Sequence, residues 1–159
     1  MSFPVLYKGG TIMKNKGFSL VELIIVIAIM AILAGALAPA LIKYINKARI
    51  SADIDAGSEM AKAMMEAVTK DAAFEAAVDH NTPYEVNLMD DQDFADEVHQ
   101  IIGPGPFIGK AKKDVNGDPL DRKFYYTLDY AKNKVEIYYG GTDGDYMIYP
   151  TIGSKFEMK

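Results

Sequence analysis

The sequence predicts an α+β protein: a long N-terminal α-helix, its first part membrane-spanning, packed against a small antiparallel β-sheet head. Three observations carry that prediction. Residues 18–38 hold a single charge, Glu22, in an otherwise apolar stretch. From Leu41 onward, apolar residues recur at three- and four-residue steps, which is the helical period. The last third alternates aromatic and β-branched residues with polar ones, the pattern of half-buried strands.

The apolar stretch comes first in the argument. About 20 apolar residues suffice to cross a bilayer. A short basic leader, Met13-Lys14-Asn15-Lys16-Gly17, precedes it. A secretory signal places its apolar region before the cleavage point. Here the processing point, Gly17–Phe18, lies before that region, so cutting there leaves the helix on the mature chain. A plain anchor does not account for Glu22. A carboxylate inside a span costs roughly 2.5–3.5 kcal/mol on insertion scales, so it ordinarily has a partner and a role. A free amino terminus and a carboxylate are each costly alone in low dielectric and neutralise each other when paired. The other reading is a carboxylate reaching water near the helix start, or interacting with the positive helix N-terminus.

The leader also bears on where translation begins. Residues 1–12 do not resemble leader, and the codons of Lys8-Gly9-Gly10 can spell a purine-rich ribosome-binding sequence. The expectation is a start at Met13, the other reading being a longer authentic leader. Removal of residues 1–17 takes Lys8, Lys14 and Lys16 and no acid from a chain of net charge −5.

Beyond the span, Leu41, Ile45, Ala48, Ala52, Ala56, Met60, Ala63 and Ala67 form the expected packing stripe. The helix is predicted to run from Phe18 to about Val78, before Asn81-Thr82-Pro83. Sixty residues at about 1.5 Å each make a rod of roughly 90 Å. Pro39 removes an N–H and disturbs the bond to the carbonyl of Gly35, itself a poor helix former, so this pair is the expected helix-perturbing point. It reads as a kink or as a site of local unwinding. A second helix is expected after Asp90-Asp91-Gln92-Asp93, with Phe94, Val98, Ile101 and Ile102 on one face and Gly103-Pro104 ending it. Strands are expected at Lys123–Asp129, around Val135, Ile137 and Tyr139, and at Met147–Tyr149. The organisation is a leader, residues 1–17; an apolar helix, 18–40; its amphipathic continuation, 41–79; and a head, 80–159.

Composition narrows the function. There is no cysteine, which excludes thiolate catalysis, cysteine metal sites and disulfides. The acidic balance argues against nucleic acid as a partner. Lys110, Lys112 and Lys113 make a small basic patch that reads as a solvated loop. His80 and His99 are the only histidines and neither joins a triad pattern, so no enzymatic role is expected. Asp114, Asn116 and Asp118 alternate like the start of a calcium loop, and Asp143 and Asp145 add oxygens. The acid at the far end of such a loop is missing, and a plain turn explains the same residues. Seven of ten tyrosines lie between Tyr125 and Tyr149, as an adhesive surface or as ordinary strand residues.

At Gly17-Phe18-Ser19-Leu20-Val21-Glu22-Leu23 the chain resembles a type IV pilin or a closely related pseudopilin. The likeness covers roughly residues 13–49, with Pro39 where that family places a helix-perturbing proline and Ala31 where it often has an upstream glycine. The resemblance implies a pilin-like fold and cleavage after Gly17 by a prepilin peptidase, with methylation of the Phe18 amino group. It implies a single-pass membrane stage with the head extracytoplasmic. An assembly ATPase and an inner-membrane platform protein then drive polymerisation into a helical homo-oligomeric surface filament. Glu22 is implied to pair with the Phe18 amine of a neighbouring subunit. No cofactor is expected, apart from the weak calcium candidates. Two alternatives stand beside the pilus subunit: a pseudopilin of a type II secretion or competence system, and a membrane-tethered extracytoplasmic binding protein.

Overall fold

The computed structural model describes residues 17–70, 80–89, 92–129 and 132–158. Helix α1 runs Leu20–Ala67 and helix α2 runs Gln92–Ile102. Four strands, β1 (His80–Glu85), β2 (Phe124–Asp129), β3 (Lys134–Tyr139) and β4 (Met147–Tyr149), form one antiparallel sheet in the order β1-β2-β3-β4. This is the expected α+β, pilin-like arrangement. The chain divides into two units, residues 1–39 and 40–159.

In the first unit, α1 is apolar on every side. Its apolar window has a mean hydropathy of 2.8 and none of it is buried, so it is long and apolar enough to cross a membrane. Helix continues through Gly35 and Pro39. The site expected to perturb the helix therefore lies inside one continuous element. The missing Pro39 N–H still removes a backbone donor there.

In the second unit, α1 buries Ile50, Asp53, Gly57, Met60, Ala61, Ala63, Met64 and Ala67. That face differs from the expected stripe at its start. Leu41, Ile45 and Ala48 are exposed, and Ala52 and Ala56 are half-buried. Two residues that are not large apolar ones explain the shift. Gly57 lets the sheet approach: a Cβ there would sit 2.3 Å from Ile148 Cδ1 on β4. Asp53, 2 % exposed, is satisfied by the N–H groups of Lys110 and Ala111. A buried charge with good donors is tolerated where an unpaired one is not.

The helix also stops earlier than expected. After Ala67 the chain tightens into turns, with Thr69 and Lys70 N–H groups donating three residues back to Glu66 and Ala67. The expected continuation to Val78 lies, from residue 71, outside the described residues.

Strand β1 stands where a helix break was expected. Pro83 fits because β1 is an edge strand and its pairing with β2 is irregular between His80 and Tyr84. On β2, Phe124, Tyr126 and Leu128 point inward, and on β3 Val135, Ile137 and Tyr139 do. With Met60, Met64, Val86, Phe94, Val98, Ile148 and Phe156 they make one core. Tyr126 and Tyr139 are core residues, and Tyr125, Tyr146 and Tyr149 are half-buried, which favours the ordinary strand reading of the tyrosines. Helix α2 buries Phe94, Ala95 and Val98, whereas Ile101 turns out to be exposed. Gly103, at φ +86°, ends it.

Candidate functional site: the start of helix α1

Gly17, Phe18 and Ser19 precede the helix. Leu20 is the first helical residue, so Ser19 is the N-cap. The Val21 N–H donates to Ser19 Oγ at 3.3 Å, and the Ser19 N–H donates to Glu22 Oε2 at 2.8 Å. These reciprocal bonds form a capping box, which satisfies backbone donors that a helix start leaves orphaned. The sequence reading missed Ser19. The signal was present as Ser-x-x-Glu before an apolar run.

The arrangement sets three features apart along six residues. The Gly17–Phe18 bond lies outside the helix, where a protease can bind it extended. A Cβ on Gly17 would meet nothing within 4 Å, so the chain's own packing does not demand glycine there. Phe18 is 90 % exposed and makes no core contact. Glu22 is fixed by its cap at the first turn, with its carboxylate turned back to the Ser19 N–H. A carboxylate has about four lone-pair sites, so one bond on Oε2 leaves acceptor capacity for an ammonium.

Downstream, the exposed row Leu20, Ile24, Ile27, Ile32 and Leu37 offers apolar surface all round the helix. Such surface needs lipid or neighbouring helices to cover it.

The calcium candidates lie in the head and are arranged around a lysine. Asp114 Oδ1 accepts the N–H groups of Asn116 and Asp118 at 2.8 and 2.9 Å. The Lys155 ammonium lies 3.2 Å from Asp114 Oδ2 and 2.9 Å from Asp118 Oδ2. Asp143 caps the Asp145 N–H, and Asp145 Oδ1 accepts from Ser154 Oγ. In this arrangement an ammonium bridges the two carboxylates that would lead the coordination of a calcium ion. Among the described residues, no three His, Cys, Asp or Glu side chains gather to hold a metal. Burial pushes the Asp114 carboxyl up. The two backbone N–H bonds and Lys155 more than offset it and hold it below its ordinary value of 3.8. Asp118 and Asp114 in turn push the Lys155 ammonium up. The side chain of His80 lies outside the described residues. His99 packs against the Phe107 ring, 5.8 Å between centroids.

Compared with known proteins, residues 12–38 match the family described as Prokaryotic N-terminal methylation motif. No curated protein and no solved structure matches the chain. The match covers the leader's end, the Gly17–Phe18 junction, Glu22 and the apolar helix. That family marks structural subunits, and its motif implies processing by a prepilin peptidase and filament assembly. Over residues 12–38 the chain is therefore similar to prepilins of the type IV pilin and pseudopilin kind, and the helix that follows the junction is long and apolar enough to cross a membrane.

Proposed function

We propose that the protein is a structural subunit of a type IV pilus, cut between Gly17 and Phe18, methylated on the Phe18 amine and polymerised through α1 into a surface filament. The observation that carries this reading is the geometry at Glu22. A carboxylate is held by a capping box at the first turn of a helix whose apolar window is wholly exposed. Before assembly, lipid covers that window and the head faces away from the cytoplasm. During assembly, an ATPase and a platform protein in the inner membrane move the subunit into the filament, and neighbouring α1 helices replace the lipid.

Glu22 sets the stagger between subunits. Cleavage leaves a positive amine at Phe18. In a bundle of apolar helices that amine and a neighbour's carboxylate neutralise each other only at one axial offset. A misregistered helix leaves a charge unpaired, at a cost of about 3–5 kcal/mol. The cap uses Oε2, so Glu22 keeps its own helix start while accepting the neighbour's ammonium. The contact is head-to-tail and non-closing, which gives an open helical polymer.

Glu22→Gln separates the two roles. Glutamine retains an acceptor for the Ser19 N–H but carries no charge. The expected outcome is normal processing and membrane insertion, with filaments absent from intact cells viewed by immunogold electron microscopy. Glu22→Ala, which loses both functions, is expected to behave the same way in assembly. Long labelled fibres from the Gln variant at wild-type abundance would overturn charge pairing as the register device.

A further inference from the structure

We infer that a basic cleft beside residues 42–49 of α1 binds the phosphate of an anionic lipid headgroup. The inference rests on the membrane-anchored reading of α1. The cleft has a volume of about 760 Å³ and lies between α1 and the loop before β2. Lys43, Lys47 and Arg49 come from the helix, and Lys112 and Lys113 from the loop. All five are exposed. A chain of net charge −5 thus gathers five of its seventeen basic residues around one opening.

The cleft is built, not a chance meeting of loose side chains. Asn46, on the same stretch of α1, donates from Nδ2 to the carbonyls of Lys113 and Asp114, at 3.1 and 3.3 Å. Asp53, two turns further on, takes the Lys110 and Ala111 N–H groups. The loop is therefore fastened to the helix on either side of Lys112. The one acid in the lining, Asp114, is buried, and its carboxylate is turned to Lys155 and to backbone N–H groups.

Position and lining select a lipid. Ile42 follows Ala38, the end of the uniformly apolar stretch, by little more than one helical turn in the same helix. Ile42, Ile45 and Val115 give the cleft an apolar lining beside its cations, which suits an acyl chain beneath a phosphate. Tyr44, 72 % exposed, sits in the same turn, and tyrosine favours the headgroup level of a bilayer. A basic cluster directly beyond a span is the arrangement that attracts anionic lipid. Binding there adds a headgroup contact to the anchor until the subunit is withdrawn, and its release accompanies extraction.

The test uses the full chain in nanodiscs of phosphatidylcholine alone or mixed with phosphatidylglycerol. Co-elution with the discs reports the anchor, and hydrogen exchange over residues 42–49 and 112–117 reports the cleft. Amides of the loop are expected to exchange at least about tenfold more slowly in the anionic discs. Lys112→Gln with Lys113→Gln is expected to return them toward the neutral-disc rate, at roughly fivefold per charge removed. Equal exchange in both discs, with co-elution intact, overturns the lipid site and leaves the anchor standing. Protection that rises with copies per disc regardless of lipid charge also overturns it, in favour of a second copy's acidic surface. Protection reproduced in neutral discs by inorganic phosphate overturns the commitment to lipid. A chain that fails to co-elute overturns the anchor, and the site with it.

Discussion

Two carboxylates in this chain use the same device in opposite surroundings. Glu22 and Asp114 each accept backbone N–H groups of their own segment, one at a helix start and one inside a tight loop. Glu22 is exposed in the isolated chain, and on the proposed reading lipid or other subunits would supply its low-dielectric setting. Asp114 is 1 % exposed already, and the folded head supplies its counter-ion in Lys155. Because folding lowers the Asp114 carboxyl below its ordinary 3.8, the unfolded chain takes up a proton there first as pH falls. The stabilisation is complete above about pH 4–5 and disappears as pH drops through the lowered folded value. Asp114→Asn is expected to cost about 1–3 kcal/mol at neutral pH, since an amide then faces the ammonium. Its urea-unfolding stability should fall less steeply with acid below pH 4 than that of the wild type. Lys155→Met should reproduce part of both effects. Parallel acid slopes for wild type and Asp114→Asn would show that this loop carries no such linkage.

At the scale of elements, the face of α1 that meets the sheet is chosen by its smallest residue. Gly57 lies under Ile148 and near Ile137. Glycine inside a helix costs about 1 kcal/mol relative to alanine, and overpacking costs about 1–3 kcal/mol. The nearest obstacle to a new Cβ is the flexible end of Ile148, so Gly57→Ala should stay within about 1 kcal/mol of the wild type by thermal or urea unfolding. Gly57→Leu cannot be absorbed that way and should destabilise the head by more than about 2 kcal/mol. Adding Ile148→Ala should recover part of that loss, and strict additivity of the two changes would argue against direct contact. This packing also explains what the sequence made legible. The apolar span was readable from its uniform apolarity, and α2, β2, β3 and β4 because their periodicity largely matches their burial. The motif around Gly17 and Glu22 was readable because six residues contain it. The buried stripe of α1 was misread at its start because it carries Asp53 and Gly57, whose fitness depends on Lys110, Ala111 and Ile148 far along the chain. Strand β1 was missed because Asn81-Thr82-Pro83 looks like punctuation, and only its edge position makes Pro83 acceptable. Lys155 could not be linked to Asp114 from sequence, since 41 residues separate them and only the fold joins them.

At the scale of the whole molecule, the two units answer to different solvents. Residues 20–38 present apolar surface that water cannot cover favourably, while the buried hydrophobic core begins at Ile50 and draws on everything after it. The interactions that fasten the head's loops to α1 begin at Asn46 and Asp53, also past the division at residue 39. Stability of the head should then be independent of the span. A chain starting at residue 40 keeps every buried hydrophobic residue named in the core and both of these polar fastenings. It is expected to be soluble without detergent and to unfold in a single cooperative transition. Its midpoint should fall within about 4 °C of the head transition of the full chain in detergent, since a 1 kcal/mol change moves a domain of this size by roughly that amount. The shorter chain should form no filaments under conditions that polymerise the full one, because the amine at Phe18, Glu22 and the apolar helix are all gone. A truncated head that precipitates, or that melts far below the full chain, would mean that the span contributes to folding as well as to anchoring and assembly.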